Sequence, residues 1–228
     1  DMLCLTFTNR AARGMLERIN ANIADSGVGD VFVGNVHRFC SKFLFTNGLI
    51  AAESSVIDEE DAVSILARYT GEDEYFVLGD FRRRREYSLI FHLESMMHQI
   101  AMGHPKALRS HTDCINGDDV KAMQRICSVR GCAFDAAAMV DIYNNVETYR
   151  DLTTADTADY GDYQIIHRLL RKMQLAQQYH QYKKQNNLLD FHDLLLFTYD
   201  ALNADAAQTE YKRYTWVQVD EVQDLNQL

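Results

Sequence analysis

Strand-like apolar runs occur in this chain only near its two ends: MLCLTF at 2–7, VFVG at 31–34 and YTWVQV at 214–219. From about residue 49 to 185 the strand signal nearly vanishes. Any sheet must therefore be closed by residues that lie far apart in sequence, with a long helical excursion between them. After the first run, Thr8 and Asn9 form a good capping pair. Ala12, Met15, Leu16, Ile19 and Ile23 then recur at the i, i+3, i+4 spacing of one helix face. Gly27 and Gly29 end that unit, and VHRFCSKFLF follows the second run as another helix. The first ~45 residues thus read β-α-β-α, the alternation that builds a parallel sheet covered by helices.

The middle reads as helices alone. Asp58 can cap EEDAVSILARY, and EYSLIFHLESMMHQIAM (86–102) is strongly helical. DDVKAMQRIC, FDAAAMVDIYNNVETYRDL and the long DYQIIHRLLRKMQLAQQYHQYKKQNN (162–187) follow, and Pro105 ends one of these helices. LLDFHDLLLFTYDAL is a further amphipathic helix before the last strand-like run. The expected architecture is an α/β domain made of 1–48 and 186–228, interrupted by an all-α subdomain at 49–185. Arg82 to Arg85 is the one dense basic run, read as a solvated loop or, alternatively, a nucleic-acid contact.

With 47% hydrophobic and 25% charged residues, the 228-residue chain has the composition of a globular protein with ample material for a core. No apolar run approaches the ~20 residues that span a bilayer, so no membrane association is expected. The N-terminus lacks a basic n-region and a small-residue cleavage site. It starts without Met and almost inside a strand, which reads as the cut edge of a larger protein. Cys4, Cys40, Cys114, Cys127 and Cys132 are scattered, with no C-x-x-C, so a reduced, cytoplasmic setting and simple packing are expected. His37 and Cys40 stand at helical spacing, but no second pair completes a metal site with them.

The net charge of −10 argues against a broad nucleic-acid footprint. It is unevenly spread. Residues 1–48 carry five Lys/Arg against four Asp/Glu, a surplus of +1, whereas residues 186–228 carry two against eight, a balance of −6. That acidity gathers in WVQVDEVQDLNQ at 216–227, where acidic and amide side chains directly follow an apolar run read as a buried strand. A solvated turn explains such a sequence adequately. The functional reading is that ligands bind at the carboxyl ends of parallel strands. There Asp220 could hold Mg²⁺ beside a phosphate, and Glu221 could orient and deprotonate an attacking water. Gln223 could contact a phosphate or that water, and Asp224 could hold neighbouring side chains. No His joins Asp220 or Glu221 at ligand spacing, which weakens a metal-hydrolase reading.

Four segments, in order, resemble the motifs of UvrD/Rep-like superfamily 1 DNA helicases. LTFTNRAARGMLERI (5–19) is similar to the T-F-T-N-K-A-A-x-E-M motif, and VGNVHRFCSKFL (33–44) to the G-T-x-H-x-F motif. LLDFHDLL (188–195) resembles the D-F-x-D-L-L segment, and VDEVQDLNQ (219–227) resembles D-E-x-Q-D. The resemblance covers roughly the first 45 and last 40 residues; the middle matches only in class and placement. It implies a partial RecA-like (P-loop NTPase) fold, with 1–48 and 186–228 as subdomain 1A and 49–185 as subdomain 1B. It also implies ATP and Mg²⁺ as cofactors, single-stranded DNA and duplex junctions as partners, 3′→5′ movement, and DNA-repair-type work. By the same resemblance Asp220 is the Mg²⁺ ligand, Glu221 the catalytic base, and Gln223 and Asp224 couple nucleotide to DNA. Phe7, Thr8 and Asn9 line the single-strand path, with Phe7 able to stack on a base, and His37 faces DNA beside Arg38, which could pair with a phosphate. For Phe7 the alternative is the end of a core strand, and for His37 a satisfied structural histidine. Asp190 and Asp193 are explained by helix capping and the dipole.

The chain departs from these motifs at four positions. Arg10 keeps the charge of the usual Lys, and Gly14 weakens its helix by up to ~1 kcal/mol relative to Ala. Asn35 stands where Thr is usual, leaving a hydroxyl contact in doubt, and Leu225 replaces Thr or Ser. No G-x-x-x-x-G-K-[ST] occurs in residues 1–228, and the later arginine-bearing motifs are absent too, so this stretch alone is expected to be inactive as an ATPase. A helicase–nuclease of RecB or AddA type and a degenerate, non-catalytic DNA-binding protein are the rival readings.

Overall fold

A computed structural model describes residues 1–22, 31–104, 112–150, 152, 160–204, 211 and 214–220. The chain forms two compact units, Asp1–Ser55 with Leu189–Gln227, and Val56–Leu188.

The first unit is built on β1 (Met2–Thr6), α1 (Asn9–Asn22), β2 (Val31–Asn35), α2 (Val36–Thr46), α10 (Phe191–Ala204) and β5 (Trp216–Val219). Its sheet has the order β2-β1-β5. Both pairings are parallel, with Met2 opposite Val31 on one side and Trp216 on the other, and Thr6 opposite Asn35. Side chains alternate between the faces of a strand. One face presents Met2, Cys4, Val31 and Val33, which pack with Ala12, Met15 and Ile19 of α1. On the opposite face Phe32 meets Phe39 of α2 edge-on, with centroids 5.8 Å apart. Cys40 and Leu44 of α2 are buried with Leu194 of α10. The amphipathic stripe expected for α1 is thus only partly used: Ala12 is buried, whereas Leu16 is exposed. Gly27, Gly29 and Ile23 lie outside the described residues.

β5 corrects an expectation. The WVQV run was read as a buried strand, yet Trp216 is 59% exposed and Val217 is exposed beside it. β1 holds the centre because it pairs on both sides, and β5 takes an edge of the described sheet. An apolar run of four residues has the same appearance in sequence whether it sits centrally or at an edge.

The second unit is helical: α3 (Glu59–Thr70), α4 (Glu74–Gly79), α5 (Phe81–Ala101), a 3₁₀ turn (Thr112–Cys114), α6 (Gly117–Arg130), α7 (Ala136–Asn144), α8 (Val146–Arg150) and α9 (Tyr160–Gln185). The two-residue strands β3 (Ser55–Val56) and β4 (Leu188–Leu189) lie where the chain passes from one unit to the other. Its core joins Leu66, Leu93, Met96, Met97, Met123, Ile126, Leu170 and Tyr179 from four helices, α3, α5, α6 and α9. Each such fully buried aliphatic side chain contributes about 1.5–3 kcal/mol relative to exposure. Local chemistry sets the helix ends. Asp58 with Asp61, and Asn116 with Asp119, form reciprocal capping boxes. Gly71 and Gly131 close α3 and α6 in the left-handed conformation, φ +74° and +69°.

Two further expectations change here. The 134–152 stretch, read as one helix, breaks at Asn145, whose side-chain amide donates to the backbone carbonyl and the carboxylate of Asp141. An asparagine that satisfies its own backbone in this way competes with helix continuation. Arg82 to Arg85 are helical, since α5 begins at Phe81. The Asp80 carboxylate accepts from the amides of Arg82 and Arg83. Arg83 pairs with Glu86 at 3.0 Å, and Arg84 with Glu60 at 3.0 Å. Pro105 lies outside the described residues.

Candidate functional site

Parallel pairing brings the carboxyl ends of β1, β2 and β5 to one edge of the sheet. Three of the sequence-selected segments meet that geometry: Phe7, Thr8 and Asn9 follow β1, His37 and Arg38 follow β2, and Asp220 follows β5. The backbone amide of Asp220 donates to the Leu5 carbonyl at 2.9 Å, so the β5 ladder runs up to the acidic residue itself. Asp220 is exposed at that point. Glu221, Gln223, Asp224 and Leu225 lie outside the described residues.

The turn after β1 is held from within. The Thr6 hydroxyl donates to the Thr8 carbonyl at 3.0 Å, and the Thr8 hydroxyl accepts from the Ala11 amide at 3.1 Å. Thr8 is therefore the cap of α1. The exit of the chain into α1 leaves Phe7 beyond the last strand residue, 50% exposed. Phe7 is thus neither a buried core residue nor a continuation of β1.

Asn35 ends β2 and starts α2. Its side-chain oxygen accepts from the Arg38 amide at 2.8 Å, and its amide donates to the Asn9 side-chain oxygen at 3.1 Å. The departure from the usual Thr thus keeps a capping acceptor and adds a donor that ties the two loops together. Gly34 matters for a steric reason: a Cβ there would meet the Phe32 ring at 2.9 Å and the Arg38 Cδ at 3.3 Å. His37 stacks on Phe191 at the start of α10, with centroids 4.5 Å apart and planes at 20°. Burial lowers the His37 pKa below 6.5, so the ring is held neutral at pH 7. Asp190 fixes where α10 begins, accepting from the amides of His192 and Asp193 at 3.0 Å while its own amide donates to the Asp193 carboxylate.

Phe191 and Gly34 shape this edge, and neither has a role legible in the sequence motif that contains it. Phe191 lay in view within LLDFHDLL, but only tertiary packing shows that it buttresses a residue some 150 positions earlier. All five cysteines are free thiols. Cys40 is buried, with its thiol pushed up in pKa by desolvation. Among the described residues neither it nor His37 belongs to a metal-ligating cluster.

A small parallel sheet with helices on both faces and motif-bearing loops at one strand edge defines a mixed α/β protein. The sequence model of the UvrD/REP helicase N-terminal domain matches residues 1–228, the whole chain, and the chain belongs to that family. Comparison with curated proteins gives no match. Among the described residues no helix is long and apolar enough to cross a membrane.

Proposed function

We propose that this chain supplies part of the N-terminal RecA-like ATPase domain of a UvrD/Rep-type DNA helicase, which couples ATP hydrolysis to 3′→5′ movement along single-stranded DNA. In this reading the first unit is subdomain 1A and the helical unit is subdomain 1B. The observation that carries the proposal is the shared strand edge. A carboxylate leaves β5 next to the β1 loop, whose exposed aromatic and polar side chains, with those after β2, supply the opposite chemistry.

The donor set fits Mg²⁺ as far as it is described, since Asp220 offers an exposed oxygen ligand of the kind a hard cation requires. When bound, Mg²⁺ supplies charge neutralisation at the nucleotide phosphates. Asp220 would hold the ion and Glu221 would take the proton of the attacking water. Gln223 and Asp224 would connect that chemistry to the DNA loops. Phe7 would stack on a base, with Thr8 and Asn9 beside it. Thr8 is already an acceptor in its cap, so it would offer DNA its O–H as a donor. The neutral His37 would present a flat edge held by Phe191, and Arg38 a phosphate contact.

The test is single-strand affinity measured by fluorescence anisotropy on the chain and on two sets of variants. Phe7→Ala should cost on the order of 1–3 kcal/mol. Arg38→Ala should reduce the salt slope by less than one unit, because each phosphate contributes about 0.7. Binding unchanged by Phe7→Ala but abolished by substitutions at Arg82 and Arg85 would overturn the assignment. In the intact enzyme, Glu221→Gln should lower turnover by about 10²–10⁴ while nucleotide binding persists.

A further inference from the structure

We propose that Glu94, His98 and His180 form a binding site for a zinc-class divalent cation that ties α5 to α9 in the helical unit. Glu94 and His98 are four residues apart on α5, so they share one helix face. His180 comes from α9. One ligand atom from each of the three lies within 4.8 Å of the others. Tetrahedral zinc with bonds of about 2.0–2.1 Å spaces its ligands about 3.3 Å apart, so closure around an ion needs side-chain adjustments of about an ångström. A carboxylate with two imidazoles is a donor set suited to Zn²⁺ and its spectroscopic substitute Co²⁺.

The surroundings favour a preorganised ligand. Glu94 is only 1% exposed, a position where a carboxylate must be paired or must bind a cation. One of its oxygens accepts from the buried Lys183 ammonium at 3.1 Å. The other is hydrogen-bonded to Nδ1 of His180 at 2.6 Å, a contact that a bound ion would replace. Lys183 thereby plays the part of an outer partner that fixes the carboxylate's orientation and leaves the second oxygen directed at His180. The His98 and His180 rings meet edge-to-face with centroids 4.9 Å apart, and the His180 side chain is 38% exposed. An ion therefore has a route from solvent, and with three protein ligands a tetrahedral ion would take water as its fourth. The ammonium beside Glu94 offsets its charge, so binding should be weaker than in a structural site built from thiolates. None of these three residues lies in one of the four motif segments, so the inference stands independently of the helicase reading.

The experiment is calorimetric titration of the chain with Zn²⁺ in a Cys132→Ser background, which removes the one exposed thiol. Co²⁺ absorption reports the ligand type in parallel. One equivalent should bind with a nitrogen- and oxygen-type cobalt spectrum, and His98→Ala and His180→Ala should each weaken binding at least tenfold. Zn²⁺ should also raise the thermal midpoint of the parent, and raise that of either variant less at the same concentration, as expected for a ligand that binds only the folded state. His98→Ala keeps the Glu94–Lys183–His180 contacts, so its loss of binding would not reflect unfolding. Failure to bind one equivalent, or binding equally tight in both variants, would overturn the proposal.

Discussion

His37 and Phe191 show how much of the strand edge depends on single side chains. The imidazole is held neutral by burial against a ring from a helix that starts about 150 residues later. The unfolded chain takes up the His37 proton near pH 6.5, whereas the folded chain does so only at lower pH. Protonation therefore favours unfolding as pH falls below 6.5 and stops doing so below the folded midpoint. An NMR titration should place the His37 midpoint below 6.5, and Phe191→Ala should move it back toward 6.5 by admitting water. A midpoint unchanged by Phe191→Ala would mean that Phe191 does not cause the shift. Asn35 teaches the same lesson at one position: the amide replaces a hydroxyl as cap and gains a bond to Asn9. Asn35→Ala removes both, and the lost cap alone should destabilise the first unit by about 1 kcal/mol in urea unfolding.

At the scale of elements, two glycines in helical settings should respond in opposite directions. Gly14 sits inside α1 and an added Cβ would meet nothing within 4 Å. Gly14→Ala should therefore stabilise the chain by about 0.5–1 kcal/mol through helix propensity and reduced unfolded-state entropy. Gly71 also has open space around it, but its φ is +74°. Gly71→Ala should destabilise by about 1–2 kcal/mol because the left-handed conformation crowds Cβ. Chemical denaturation of both variants checks the pair, and equal signs would contradict the account. The arginine run at the start of α5 opposes the helix dipole, and Asp80 counters it by accepting two amides there. Those amide bonds hold the Asp80 carboxyl below its usual pKa. Its contribution is thus present above the ordinary carboxylate range and is lost as pH falls through the lowered value.

For the whole molecule, the helical unit is a continuous segment, Val56–Leu188, with its own core, whereas the first unit is assembled from two separated stretches. Residues 56–188 expressed alone should fold, with a helical circular dichroism spectrum and a single cooperative urea transition. A non-cooperative transition would show that the unit needs the rest of the chain. Residues 1–228 contain no phosphate cradle of the G-x-x-x-x-G-K-[ST] kind, so the chain by itself should release no phosphate from ATP. DNA-stimulated release that Glu221→Gln abolishes would refute this expectation.

Periodicity and capping residues made the order of elements readable, because these are local signals. The 3.6-residue stripes, Asp58, the β-branched and apolar runs and Asp190 each act within a few residues of where they stand. The ordered motifs likewise marked the strand-edge residues before any geometry. What those signals lack is information about neighbours. Tertiary pairing alone decided that β1 is central and β5 exposed, that His37 rests on Phe191, and that the arginine run joins α5 through carboxylates from other turns. The Glu94, His98 and His180 cluster is the clearest case. Two of its residues share a helix face in sequence, but the third comes from α9, 82 positions beyond His98. Only packing of the two helices brings its imidazole within reach, because such proximity depends on burying apolar faces against each other, which no local pattern encodes.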